Sequence, residues 1–197
     1  MAVNRRALAI SMASALVITI VGAYFVSRSH DNRLNADDTV TLSSNVGLAQ
    51  PGIPTNEVVA GTPLPAVNLT DLLGNAVSTT DLLGQPLVIN VWSTICAACK
   101  RELPVFAELH QEFGDTVRFI GVNQFANDDI AIEFAHSRGV AYELLADLNG
   151  EFVRALGITG LPYTIFVRTN GTIVAQKGIE LSADTLRQTI KDTLITK

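Results

Sequence analysis

Two cysteines separated by two alanines are the residues of this sequence best suited to chemistry. The segment CAAC at residues 96–99 holds both cysteines of the chain, and it follows an apolar run at residues 86–92 that predicts a buried strand. Apolar residues then recur at helical spacing over residues 99–113, so the pair opens a predicted helix. A helix N-terminus offers free N–H groups and a partial positive charge, which favour a thiolate. We therefore expect a lowered pKa for Cys96, with Cys99 shielded one turn further in as the resolving thiol.

Three other interpretations of the cysteine pair compete with redox chemistry. A structural disulfide would stabilise little, because closing a four-residue loop contributes about 2 kcal/mol, against about 4.7 kcal/mol for a 100-residue loop. A metal site needs further ligands, and His110 lies about 16 Å along the same predicted helix. His136 could approach from another element, so metal delivery stays open, as does a buried pair packed as small apolar groups. A CxxC segment between a strand and a helix favours redox chemistry.

The elements around this segment predict an α/β domain. Strands are predicted at residues 86–92, 117–122 and 142–145, followed by a hairpin of 163–167 and 172–176 around Asn170-Gly171. Helices are predicted at 99–113, 128–138, 151–156 and 182–194, the last with Ser182 as its N-cap. Alternation of helices with strands indicates a layered sheet. With 197 residues, 48% apolar residues and a net charge of −5, the chain is neither disordered nor suited to binding nucleic acid.

The N-terminus carries an apolar segment that predicts a membrane anchor. Residues 7–26 hold no charge, and twenty helical residues span about 30 Å, the thickness of a bilayer core. A cleaved signal peptide is the alternative, but this run is longer than the apolar core of one and lacks a good cleavage site. By the positive-inside rule, Arg5 and Arg6 favour an N-terminus on the cytoplasmic side, with the rest of the chain outside. We therefore predict an anchor at residues 1–26, a flexible linker at 27–58 and a globular domain at 59–197.

These motifs give residues 61–197 a resemblance to the thioredoxin fold, in its membrane-anchored TlpA/ResA/DsbE-type branch. The resemblance rests on the run from strand through Trp92 to the CxxC helix, on Pro104 within that helix, and on GLPYT at residues 160–164, similar to the cis-proline loop of the family. Residues 74–92 resemble the lead-in hairpin and strand, and residues 125–147 hold the extra central segment of this branch. The resemblance implies a central mixed sheet flanked by helices.

The same resemblance assigns roles to further residues. Glu102, three residues past Cys99 and on the same helix face, stands where this branch often places a glutamate that takes the proton of the second cysteine. The alternative is a solvated glutamate paired with a neighbouring cation. A cis peptide before Pro162 would turn the backbone of Leu161 toward the thiols, where it can pair with an extended substrate. The resemblance places Trp92 beside these two residues as a substrate-binding position.

The function implied is a membrane-tethered thiol–disulfide oxidoreductase of the bacterial cytoplasmic membrane, with its catalytic domain outside. It would reduce exported proteins, such as apocytochrome c before haem attachment, and be recharged by a membrane electron donor. Neither metal nor organic cofactor is expected, because the Cys96–Cys99 pair carries the electrons. Ile95 and Ala98 depart from the Trp and Pro common at these positions, so the redox direction stays open. A copper-delivery module and a thiol peroxidase are the alternative functions.

Overall fold

The structure, a computed structural model, describes residues 55–124 and 129–195. The predicted anchor and the predicted linker up to residue 54 lie outside these residues. Over the described ranges, no helix combines the length and apolar character needed to cross a bilayer.

A seven-stranded mixed sheet forms the centre of the domain, as the resemblance implies. Its strands lie in the order β2-β1-β5-β4-β3-β6-β7. The central strand β3 pairs in parallel with β4 and antiparallel with β6, while β4 pairs in parallel with β5. The strands are β1 (Asn68–Thr70), β2 (Ala76–Ser78), β3 (Leu87–Trp92), β4 (Arg118–Asn123), β5 (Glu143–Ala146), β6 (Tyr163–Val167) and β7 (Ile173–Lys177).

The helices cover both faces of this sheet. They are α1 (Ala97–Phe113), α2 (Asp129–His136), α3 (Glu151–Ala155) and α4 (Ala183–Ile190), with a short 3₁₀ helix at Thr79–Leu82. Apolar residues of α1, α2 and α4 form one core cluster with Val88 and Phe166 of the sheet. The α3 helix and the 3₁₀ helix cover the opposite face, where they pack against Ile89 and Ile165. The layers are those of the predicted α/β domain.

Side-chain alternation along β3 decides what faces α1. All six residues of this strand are buried, which explains the continuous apolar run in the sequence. Ile89 and Val91 belong to the core on the α3 side, whereas Val88 and Trp92 belong to the core on the α1 side. Asn90 shares the parity of the second pair, so its amide points toward α1. A polar group buried at this position needs a partner there.

Most predicted elements lie within a few residues of the observed ones, and three details differ. The lead-in hairpin expected at residues 74–92 is formed by β1 and β2, upstream of the 3₁₀ helix. The last helix keeps Ser182 as its N-cap but becomes a π-helix over Lys191–Ile195. The end of the predicted linker is hydrogen bonded to the domain, because Glu57 N–H donates to the Gly157 carbonyl at 3.2 Å.

Candidate active site

The two cysteines sit at the start of α1 with unequal exposure. They are joined by a disulfide, Cys96 occupies the N-cap position, and its sulfur accepts the backbone N–H of Cys99 at 3.1 Å. Cys96 is half-buried, whereas Cys99 is 1% exposed. Ile95, next to Cys96, is 81% exposed. One sulfur therefore lies within reach of a partner, beside the positive end of a helix, and the other is shielded behind it.

The Glu102 side chain is buried one helical turn beyond Cys99. It is 1% exposed, its Oε1 accepts the Leu181 N–H at 2.8 Å, and its Oε2 accepts the Asn90 amide at 3.0 Å. Burial raises the pKa of Glu102 to about 7, against the opposing effect of these two hydrogen bonds. The alternative of a solvated glutamate is therefore wrong. The neighbouring cation Arg101 binds Glu180 instead.

Asn90 also belongs to the site, a role that the sequence patterns did not predict. Its Nδ2 donates to Glu102 and to the Thr164 hydroxyl, at 3.0 and 3.2 Å, so it links β3, α1 and β6. Its Oδ1 has no hydrogen-bond partner within the described part of the chain. A protonated Glu102 could donate to that oxygen if the Asn90 amide turned over. An amide inside an otherwise apolar central strand was the signal that could have revealed it, because a buried polar group requires a partner.

Tyr142 belongs to the buried cluster that also holds Cys99 and Trp92. Among the described residues its buried hydroxyl has no hydrogen-bond partner, and its ring packs against Phe119 at 6.0 Å between centroids. Burial raises the pKa of Tyr142, and the charge of Glu102 raises it further. The carboxyl of Glu102 therefore lies in an apolar environment that disfavours its ionised form.

The predicted proline loop lies at the same end of the sheet as the cysteines. Val91 pairs with Tyr163 in the antiparallel register of β3 and β6, so Pro162 falls beside Trp92, just before the CxxC segment. The Leu161–Pro162 peptide is cis, as the resemblance implies. Pro162 is buried, while Leu161 is half-buried and packs against both core clusters.

Trp92 lies in the core and does not reach the protein surface. It is 1% exposed, and its ring stacks on Phe134 of α2 with 6.0 Å between centroids. The Arg138 guanidinium lies 3.6 Å from the centroid of the same Phe134 ring. The resemblance implied a substrate-binding position for Trp92, but in this structure its ring is covered by α1 and α2 on the α1 side of β3. Its observed contacts support the CxxC segment by packing.

The described residues do not assemble a metal site around the cysteines. No group of three or more His, Cys, Asp or Glu in ranges 55–124 and 129–195 is arranged to hold a metal ion. His136, the candidate third ligand for copper, lines a cavity of 380 Å³ together with Asp71 and Tyr142, and neither cysteine lines that cavity. His110 lies on α1 and packs edge-on against Phe119, 5.6 Å between centroids. Within the described residues, no third ligand for copper therefore joins the two cysteines.

Comparison with known proteins gives this geometry a family context. Residues 60–176 match the AhpC/TSA family. The thiol:disulfide interchange protein DsbE of Haemophilus influenzae is 32% identical over 136 residues, which cover 68% of this chain and 74% of that protein. The thiol-disulfide oxidoreductase ResA of Halalkalibacterium halodurans is 32% identical over 112 residues, which cover 55% of this chain and 64% of that protein.

A solved structure supports the fold independently. The thioredoxin domain of a thiol-disulfide oxidoreductase from Bacteroides vulgatus superimposes with a TM-score of 0.61 at 24% identity. The superposition covers 69% of this chain and 98% of that one. At this level of identity the likeness shows the thioredoxin fold alone, with the sheet and helices described above.

Proposed function

This chain belongs to the AhpC/TSA family of thioredoxin-fold proteins and is a thiol–disulfide oxidoreductase of the DsbE/ResA type, and from that premise we propose that it reduces protein disulfides outside the cytoplasmic membrane while tethered to it. The observation that carries the proposal is the asymmetry of the pair. Cys96 is half-exposed at a helix N-terminus and accepts the Cys99 N–H, while Cys99 is buried behind it. Disulfide exchange requires one reachable thiolate and one resolving thiol.

In the proposed reaction the reduced pair gives two electrons to the substrate. The Cys96 thiolate attacks one sulfur of the substrate disulfide, forming a mixed disulfide and releasing the first substrate thiolate. Cys99 then loses its proton and attacks the Cys96 sulfur, which forms the Cys96–Cys99 disulfide and releases the second substrate thiolate. The substrate disulfide is reduced and the protein pair is oxidised. No cofactor takes part in this scheme, and the absence of one stays a prediction.

We propose that Glu102 accepts the proton that Cys99 loses in the resolving step. The residue is one helical turn beyond Cys99, and burial raises its pKa to about 7, which matches a group that exchanges protons near neutral pH. Asn90 and the Leu181 N–H hold its two oxygens, so the carboxyl has a fixed orientation. The same proposal gives the Leu161 backbone the task of pairing with an extended substrate strand.

Covalent trapping tests the proposed reaction. With Cys99→Ser in the full chain, the first attack by Cys96 still occurs but resolution fails, so mixed disulfides with partner proteins should accumulate in cells. They are measured on non-reducing gels and identified after reduction. A Cys96→Ser, Cys99→Ser double variant is the control and should capture nothing. A Cys99→Ser chain that forms no covalent complexes would contradict the proposal.

We further propose that the physiological substrates include the disulfide of apocytochrome c, which is reduced to two thiols before haem attachment, with a membrane electron donor restoring the reduced pair. This part of the proposal rests on the resemblance to the DsbE/ResA branch. The residues between the cysteines are two alanines, which add neither charge nor a rigid ring near the sulfurs. Because about 30 mV corresponds to 1.4 kcal/mol, the potential of the pair decides the direction of electron flow. Reductive work requires a potential below that of the substrate disulfide.

Membrane tethering makes a prediction about fractionation. The uncharged run at residues 7–26 is long enough to span a bilayer, so the full chain should stay with bacterial membranes after a carbonate wash. Protease added outside spheroplasts should digest the globular domain. A chain lacking residues 7–26 is the control and should become soluble. Recovery of the full chain in the soluble fraction, or complete protection from the protease, would contradict the assignment.

A further inference from the structure

Asn56, near the end of the predicted linker, is hydrogen bonded to the loop that leads to the cis proline. Its Oδ1 accepts the backbone N–H of Thr159 at 2.7 Å and that of Gly160 at 3.1 Å. The same oxygen lies 3.2 Å from the Thr159 hydroxyl. The Nδ2 of Asn56 donates to the Gly160 carbonyl at 3.4 Å. One amide therefore engages both backbone polar groups of Gly160. A segment 104 residues away in sequence thereby fixes the loop.

Asn56 lies between the backbone that follows β7 and a chain segment that Gln176 holds. On one side, an added Cβ on Gly178 would come within 2.6 Å of the Asn56 Nδ2, so the amide packs directly on the backbone after β7. On the other side, the chain after Asn56 is held by Gln176. The Gln176 Nε2 donates to the Glu57 carbonyl at 2.7 Å, and its Oε1 accepts the Ala60 N–H at 3.1 Å. The segment 56–60 thus bridges edge strand β7 and the loop at 157–160.

Gly160 is the residue immediately before Leu161. The peptide that would pair with substrate thus begins where the Asn56 hydrogen bonds end. β6 starts at Tyr163, so the stretch 159–162 lies outside the sheet. We propose that Asn56 is a positioning residue for substrate binding, which holds the 159–160 backbone so that Leu161 presents its polar groups in a fixed orientation to an extended substrate strand. This inference rests on the proposed function and adds a residue that lies outside the CxxC helix and the proline loop.

The chemistry of the asparagine side chain suits this task. The two backbone N–H groups donate to one side-chain oxygen, which the carboxylate of an aspartate could also supply. An alanine offers no acceptor, so both N–H groups would lose this hydrogen bond. Loss of these hydrogen bonds should make the backbone of residues 159–162 more mobile without changing the surroundings of the two sulfurs. The expected signature is a defect toward protein substrates, which need the loop, with no defect toward a small disulfide, which does not.

The experiment uses the full chain in detergent with two probes. Insulin is the protein disulfide, and 5,5′-dithiobis(2-nitrobenzoate) is the small one, which reports the intrinsic reactivity of reduced Cys96. Asn56→Ala should lower kcat/KM for insulin reduction about tenfold, chiefly through KM, and leave the rate with the small disulfide unchanged. Asn56→Asp retains the acceptor oxygen and should recover insulin reduction to within about threefold of the parent.

Asn170→Ala is the matched control, because Asn170 also caps a backbone N–H, that of Thr172 at 3.0 Å, in the turn at the opposite end of β6. It should leave both rates unchanged. Equal loss toward both probes in Asn56→Ala, or no loss toward insulin, would overturn the positioning role. An Asn56→Asp variant as defective as Asn56→Ala would also overturn it. Failure of the proposed function looks different, since the parent chain itself would then not reduce insulin.

Discussion

Replacing Cys96 by serine is expected to lower the rate of disulfide reduction by more than about a thousandfold. A hydroxyl in this place is not ionised at neutral pH and cannot form a bond to sulfur that is later resolved. The N–H of Cys99 and the N-terminus of α1 would then stabilise no developing thiolate. Stopped-flow measurement with a protein disulfide checks this result, with emission of Trp92, the single tryptophan of the chain, as the signal.

Cys99→Ser is the matched control for the Cys96 variant. It keeps the attacking sulfur, so a single burst of mixed disulfide should form at nearly the parental rate, with no further turnover. The difference between the two variants follows from exposure, since Cys99 is 1% exposed and cannot meet a protein substrate directly. If the Cys96→Ser chain formed mixed disulfides through Cys99 at a comparable rate, the roles of the two sulfurs would have to be exchanged.

Local sequence patterns were sufficient for strands β3 to β7, for the four α-helices and for the placement of the cysteines, whereas the hairpin of β1 and β2 lies upstream of the stretch expected for it. The apolar run of β3, the Asn170-Gly171 turn and the N-cap at Ser182 are each specified within a few residues. The strand-to-helix junction follows from these patterns, and with it the position of Cys96. Assignment of the proline loop required the resemblance, because Leu161-Pro162 alone is compatible with an ordinary strand start.

Long-range contacts decided the features that the sequence left open. Whether Glu102 is solvated or buried depends on the Leu181 N–H, 79 residues further along the chain, and on Asn90 across the sheet. Asn56 looked like part of a polar linker, since its composition matched a tether and its partner loop lies 103 and 104 residues away. The burial of Trp92 depends on α2 packing over its ring. None of these three features can be predicted from the local spacing of apolar residues.

The buried state of Glu102 has a measurable consequence for stability. Burial raises the pKa of this carboxyl from 4.5 to about 7, and the charge of Glu180 adds to the shift. Below pH 4.5 both the folded and the unfolded chain hold the proton, so the group contributes no pH dependence. Between pH 4.5 and 7 the unfolded chain releases the proton first, so the free energy of unfolding falls. Above pH 7 both states are ionised and the loss is complete, at about 3 kcal/mol.

Glu102→Gln removes this titration, so the stability difference between variant and parent should shift in favour of the variant by about 3 kcal/mol between pH 4.5 and 8. The substitution retains an oxygen for the Leu181 N–H, and the unpartnered Oδ1 of Asn90 can accept from the new amide once the Asn90 side chain turns over. Urea unfolding of oxidised residues 50–197 across this pH range gives the measurement.

Glu133→Gln is the control, because Glu133 is an exposed glutamate on α2. This variant should leave the pH profile within about 0.5 kcal/mol of the parent. A Glu102→Gln profile that runs parallel to the parental one would show that the carboxyl stays ionised in the folded protein, and the proton-acceptor assignment would lose its physical basis.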